Sequence, residues 1–166
     1  MSWDLPPERR ETVTLRCTVN GRAVEREVET TRRLLHFLRE DLGLTGAKEV
    51  CAEGECGACN VIMDGRLVNS CLVLAAEAQD ATITTVEGLA GHPVQTAMMD
   101  THAVQCGYCF PGLVLSAADL LAKTPHPDRA AIKAALAGNI CRCTGYAKIL
   151  DAVELAARTL DPGQDA

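Results

Sequence analysis

The chain has 166 residues, 48% of them hydrophobic, which is enough to bury a core as one domain or two small ones. Its 22 acidic and 16 basic residues leave a formal charge of −6, so it offers no basic face to nucleic acid or anionic lipid. No apolar run approaches the roughly 18 residues that span a bilayer, and Glu11 to Cys17, after Arg9-Arg10, alternate like a strand rather than an export signal. The expectation is a cytoplasmic protein with no membrane insertion and no nucleic-acid partner.

In chain order, residues 12–29 predict two strands joined at Asn20-Gly21, with Val13, Leu15 and Cys17 on the inward face. Thr30 and Thr31 are candidate caps for a helix whose apolar positions Leu34, Leu35, Phe37, Leu38 and Leu42 recur at helical spacing up to Gly43. Gly43 to Asn60 reads as a glycine-rich loop. Asp64-Gly65 between Val61–Met63 and Leu67–Val68 predicts a second hairpin, and Ile83 with Val86 a last short strand. From His92 onward the period turns helical, with helices predicted over Pro93–Ala103, Leu113–Ala122, Asp128–Ala137 and Tyr146–Leu160, Gly138 capping the third. The expected fold class is therefore α+β, strands and one helix first, then an all-helical half that packs most economically as a bundle.

The cysteines carry the chemistry: Cys17, Cys51, Cys56, Cys59, Cys71, Cys106, Cys109, Cys141 and Cys143, nine in all. An odd number without an export signal argues against a disulfide framework and for bound metal. Cys51, Cys56 and Cys59 are spaced Cys-x4-Cys-x2-Cys, and with the distant Cys71 they form the plant-type [2Fe–2S] pattern. An anionic cluster needs inward N–H dipoles, and Gly54 and Gly57, lying between ligands, let the backbone curl that closely. Cys17 reads as a small buried hydrophobe.

The second set is Cys106-x2-Cys109 with Cys141-x-Cys143. Structural zinc also takes four cysteines, but its pairs usually enclose two to four residues, and Arg142 alone is tight for that. Pro111 and Gly112 place the first pair at a helix N-terminus, whose dipole favours an anionic cluster. A thioredoxin-like motif would need a preceding strand, which is missing before Val104. His36, His92, His102 and His126 share no spacing that builds a site. Glu49, Glu53 and Glu55 are expected to face water, and Arg142 is either a cation near the sulfurs or a solvated side chain.

The runs Cys51-Ala-Glu-Gly-Glu-Cys56-Gly-Ala-Cys59, Gln105-Cys106-Gly-Tyr-Cys109-Phe-Pro-Gly112 and Gly138-Asn-Ile-Cys141-Arg-Cys143-Thr-Gly-Tyr146 closely resemble the small iron–sulfur subunit of molybdenum hydroxylases. The resemblance implies a β-grasp [2Fe–2S] ferredoxin-like domain over 11–90 and a four-helix [2Fe–2S]-binding domain over 91–160, with tails at 1–10 and 161–166. It implies that electrons pass from molybdopterin on a large subunit, through the helical-domain cluster and then the ferredoxin cluster, to FAD on a medium subunit. It implies a pterin contact for Gln105. Tyr108, Phe110 and Asn60 depart from the family's common phenylalanine, threonine and threonine. Two other readings compete: a free two-cluster ferredoxin shuttling between enzymes, and a zinc-stapled module with one ferredoxin cluster.

Overall fold

A computed structural model describes residues 11–160. The two tails, Arg9-Arg10 included, lie outside the described residues. β1 (Thr12–Val19) and β2 (Arg22–Glu29) pair antiparallel from Thr12↔Glu29 to Val19↔Arg22. Their turn places Asn20 at φ 49° and Gly21 at φ 75°, the paired left-handed residues of a tight hairpin. Leu15 and Cys17 are buried as expected, whereas Val13 is 38% exposed near the far end of the hairpin.

The first helix is shorter and wider than its apolar spacing predicts. α1 (Leu34–His36) passes directly into a π-helical turn, Phe37–Asp41, closed by Leu42 N–H donating to the Phe37 carbonyl at 3.2 Å. Thr30 and Thr31 do not cap it. Its first N–H groups are taken by backbone instead: Leu34 donates to the Val73 carbonyl (2.8 Å) and Leu35 to the Ser70 carbonyl (3.0 Å).

β3 (Asn60–Met63) and β4 (Arg66–Asn69) form the second hairpin, and β5 (Thr82–Thr84) completes a mixed sheet of order β2-β1-β5-β3-β4. β5 runs parallel to β1 and antiparallel to β3. Val86 is not part of β5. Thr85 N–H donates to the Asn20 side chain (2.9 Å) rather than to a strand, and Val86–Leu89 turns as a 3-10 helix. One apolar core, built on Leu15, Leu34, Phe37, Leu38, Val61 and Ile83, sits beneath this sheet.

Four helices follow: α2 (Pro93–Asp100), α3 (Phe110–Lys123), α4 (Arg129–Leu136) and α5 (Ala147–Leu160). α2 stops three residues before the predicted Ala103. His102 adopts φ 55° and Ala103 N–H reaches back to the Met98 carbonyl at 2.9 Å, a left-handed helix stop. Asp128 caps α4, accepting from Ala131 N–H at 2.7 Å. Gly138 does not cap α4 in a left-handed conformation: it has no positive φ, and Ala137 is the C-cap. α2 packs on α5 and α3 on α4 around a second core that includes Met98, Leu113, Ile132, Ile149 and Val153. α3 also lies against β3, so the helical half is joined to the sheet half. Among the described residues no helix is long and apolar enough to cross a membrane.

Candidate iron–sulfur sites

The loop from Gly43 to Cys59 is held by two cations, Arg39 from the preceding helical turn and its own Lys48. Arg39 Nη1 donates to the carbonyls of Thr45 (2.8 Å) and Ala47 (2.6 Å), and Lys48 Nζ to those of Thr45 (2.6 Å) and Gly46 (3.0 Å). Ala52, Gly54 and Gly57 all take positive φ, so the chain doubles back between successive cysteines. Glu53 N–H donates to Cys51 Sγ at 3.4 Å. Cys71 arrives from beyond β4, and Ser70 secures it by donating both its N–H (3.2 Å) and its hydroxyl (2.7 Å) to the Cys59 carbonyl.

These thiols stand within reach of one another. Cys51, half-buried, is held down to about 7 by the Glu53 N–H and by the Cys56 thiol beside it. Burial pushes Cys59 up to about 12, with the Cys71 thiol and Cys56 also against it. Cys56, Cys59 and Cys71 are all buried.

In the helical half, Cys109 is the N-cap of α3 and Pro111 lies in its first turn, as the sequence predicts. Cys106, Cys109, Cys141 and Cys143 line one small cavity together with Gln105 and Thr144. The Cys106 and Cys143 sulfurs are 3.5 Å apart, and both residues are exposed. Burial pushes Cys109 up to about 12, with Cys141 adjacent, while Cys141 itself is lowered despite burial by the Thr144 hydroxyl, 3.0 Å from its sulfur. Gln105 is exposed at the rim of the cavity, and Glu49, Glu53, Glu55 and Arg142 are exposed, as is every histidine except the half-buried His36 and His92. Cys17 stands apart in the sheet core.

Each set thus brings its thiols together in close pairs, Cys51 with Cys56, Cys59 with Cys71, Cys106 with Cys143 and Cys109 with Cys141, soft donors that become thiolates when metal binds, on backbone that supplies inward hydrogen bonds. That donor set suits iron–sulfur clusters. Among the described residues, no three or more His, Cys, Asp or Glu side chains form a group that could hold a single metal ion.

The two sets are back to back. Ile140 N–H, one residue before Cys141, donates to the Cys56 carbonyl at 3.0 Å. A side chain at Gly57 would collide with the Gly138 carbonyl and the Asn139 amide, and one at Gly112 with the Gly57 carbonyl. Gly57 therefore serves close approach as well as loop curvature. The Tyr108 hydroxyl donates to the Glu49 carbonyl at 3.3 Å. Between the halves lie Asn60, Ser116 and Asn139, buried and hydrogen-bonded to one another. The sequence reading missed their partnership. Its available signal was Ser116, a lone hydroxyl in the otherwise apolar run Leu113–Ala118.

Two family models match the chain: the 2Fe-2S iron-sulfur cluster binding domain over residues 17–90 and the [2Fe-2S] binding domain over residues 85–154. The chain is 49% identical to the nicotinate dehydrogenase small FeS subunit of Eubacterium barkeri, over 87% of this chain and 94% of that one. It is 43% identical to the nicotine 6-hydroxylase small subunit of Paenarthrobacter nicotinovorans, covering 89% and 91%. The chain belongs to the small iron–sulfur subunits of molybdenum hydroxylases. Among solved structures, quinoline 2-oxidoreductase from Pseudomonas putida 86 matches with a TM-score of 0.87 at 38% identity, covering 92% of this chain and 98% of that one. As a small iron–sulfur subunit, the chain carries electrons for an oxidoreductase without catalysing the substrate's chemistry, and it has two [2Fe–2S]-binding domains.

Proposed function

We propose that this chain takes electrons from molybdopterin on a large subunit and delivers them to FAD on a medium subunit, in a cytoplasmic hydroxylase of aromatic, heterocyclic or other small organic substrates. In this reading residues 11–90 are a β-grasp ferredoxin-like domain and 91–160 a four-helix domain. Cys51, Cys56, Cys59 and Cys71 hold one cluster, and Cys106, Cys109, Cys141 and Cys143 the other. Each cluster, when bound, supplies one-electron carriage. Eight cysteines committed to clusters and an unpaired ninth, Cys17, suit a reducing compartment.

The observation that carries the reading is the hydrogen bond from Ile140 N–H to the Cys56 carbonyl. It gives a short path between the sets: backbone from Cys141 to Ile140, one hydrogen bond, then the backbone of Cys56. The chain's other groups serve the same end. Glu53 N–H and the Thr144 hydroxyl stabilise thiolate charge, and Ser70 holds the fourth ligand against the loop. Exposed Gln105, beside exposed Cys106 and Cys143, faces outward where a pterin-bearing subunit would cover it. Relatives named for nicotinate, nicotine and quinoline support an N-heterocyclic substrate class among those proposed.

The test is to isolate the native assembly anaerobically and measure molybdenum, flavin, iron, sulfide and zinc, with electron paramagnetic resonance after stepwise reduction. About four irons per chain, two distinct [2Fe–2S] signals and co-purifying molybdenum and flavin are expected. A lone chain with four irons that binds several enzymes weakly would replace the reading by a shuttling ferredoxin. About two irons and one zinc per chain would make the helical half a structural module.

A further inference from the structure

The junction between the two cysteine sets is not simply apolar. Asn60 (4% exposed), Ser116 (2%) and Asn139 (4%) form a closed polar group within it. Asn60 Nδ2 donates to Ser116 Oγ at 3.0 Å and to Asn139 Oδ1 at 3.2 Å. Asn139 Nδ2 donates to the same Ser116 Oγ at 2.9 Å, and Ser116 passes its own proton to the Gly112 carbonyl at 3.0 Å. Asn69 Nδ2 fills the remaining Asn60 acceptor at 2.7 Å. Among the described residues no buried side-chain nitrogen or oxygen lacks a partner, so this network is fully satisfied.

Its members are placed where they can act on both sites at once. Asn60 directly follows Cys59, and Asn139 lies two residues before Cys141. Ser116 stands on α3, the helix capped by Cys109. Apolar surfaces tolerate sliding, because burial is non-directional, whereas a satisfied buried network permits one register. Gly57 and Gly112 let the backbones touch, and the three polar side chains decide where they touch.

We propose that Asn60, Ser116 and Asn139 are positioning residues that fix the two cluster sites in a single relative arrangement, and so set the rate of electron passage between them. The proposal rests on the two-cluster reading above. Neither cluster's ligand set includes these residues, so their effect is on the separation and orientation of the sites, which electron tunnelling and magnetic dipolar coupling both sense steeply.

The test uses the intact assembly carrying Ser116→Ala, which removes the shared hydroxyl, Asn60→Asp, which keeps size but loses both donors, and Ser116→Thr, which restores a hydroxyl. Iron is counted, the spin–spin splitting between the two reduced clusters is recorded, and electron passage is followed after rapid partial reduction. The expected result is wild-type iron in all three, an altered splitting and a several-fold slower passage in Ser116→Ala and Asn60→Asp, and recovery of both in Ser116→Thr. Wild-type splitting and rate in Ser116→Ala and Asn60→Asp, even with a lowered unfolding temperature, would leave the network a purely structural role and overturn the proposal. Loss of the ferredoxin-side cluster alone in both variants would assign Asn60 to its own loop and overturn it too. A wild-type assembly with fewer than about four irons per chain would instead refute the two-cluster reading itself.

Discussion

Cys17 lies 6% exposed in the core with Leu15 and Val19, and burial pushes its thiol up. It packs as a small hydrophobe, so Cys17→Ala is expected to keep about four irons per chain and to cost about 1 kcal/mol, read by iron analysis and by the unfolding midpoint. Iron loss comparable to that of Cys56→Ser would make Cys17 a ligand. The sequence distinguished Cys17 from the others because three of the first set fall within one loop and the second set comes in two tight pairs. It could not show what Asn20 does beyond its turn. Asn20 Oδ1 accepts from Thr85 N–H and its Nδ2 donates to Thr85 Oγ1, both at 2.9 Å and both 65 residues away. Asn60 and Asn139 were illegible for the same reason: their contact spans 79 residues, and no local pattern records it.

At the level of elements, hairpins and helices followed from turn residues and periodicity, and the errors fall where tertiary contacts took over. The first helix lost its predicted cap because the segment at Ser70 to Val73 occupied its N–H groups, and β5 ended early because Asn20 claimed Thr85. Gly112 is a sharper case. It lies in the first turn of α3 with ordinary helical backbone, where alanine normally gains about 1 kcal/mol over glycine. Here an added methyl would meet the Gly57 carbonyl, which is fixed in the cysteine loop, and overpacking costs about 1–3 kcal/mol. The clash should win. Gly112→Ala is predicted to lower the unfolding midpoint and weaken cluster retention, measured by thermal loss of visible absorption; a raised midpoint would show that the loop can retreat.

Across the whole molecule, Glu87 fastens the cysteine loop to the connector between the halves. Its carboxylate accepts from the Thr85 hydroxyl (2.6 Å) and from Gly46 N–H (2.7 Å). Partial desolvation opposes the charge of this exposed residue, but these bonds and nearby Lys48 outweigh that and hold the carboxyl below its ordinary value. A lowered folded-state value stabilises above the unfolded value and is lost as pH falls through the folded one. Glu87→Gln is therefore expected to be less stable than wild type at pH 7, with the difference closing below about pH 4, in paired thermal melts. A gap that persists into acid would tie the effect to shape and not charge. The unequal cover of the two cysteine sets has a consequence for maturation. Cys56, Cys59 and Cys71 are sealed by the chain's own fold, while Cys106 and Cys143 remain open to water. On the two-cluster reading, the inner site is expected to receive its iron while the chain is folding, and the outer one afterwards, before a partner covers it. A chelator applied to the loaded but undocked chain should accordingly strip the outer signal first, and loss of the inner signal first would reverse that order of assembly.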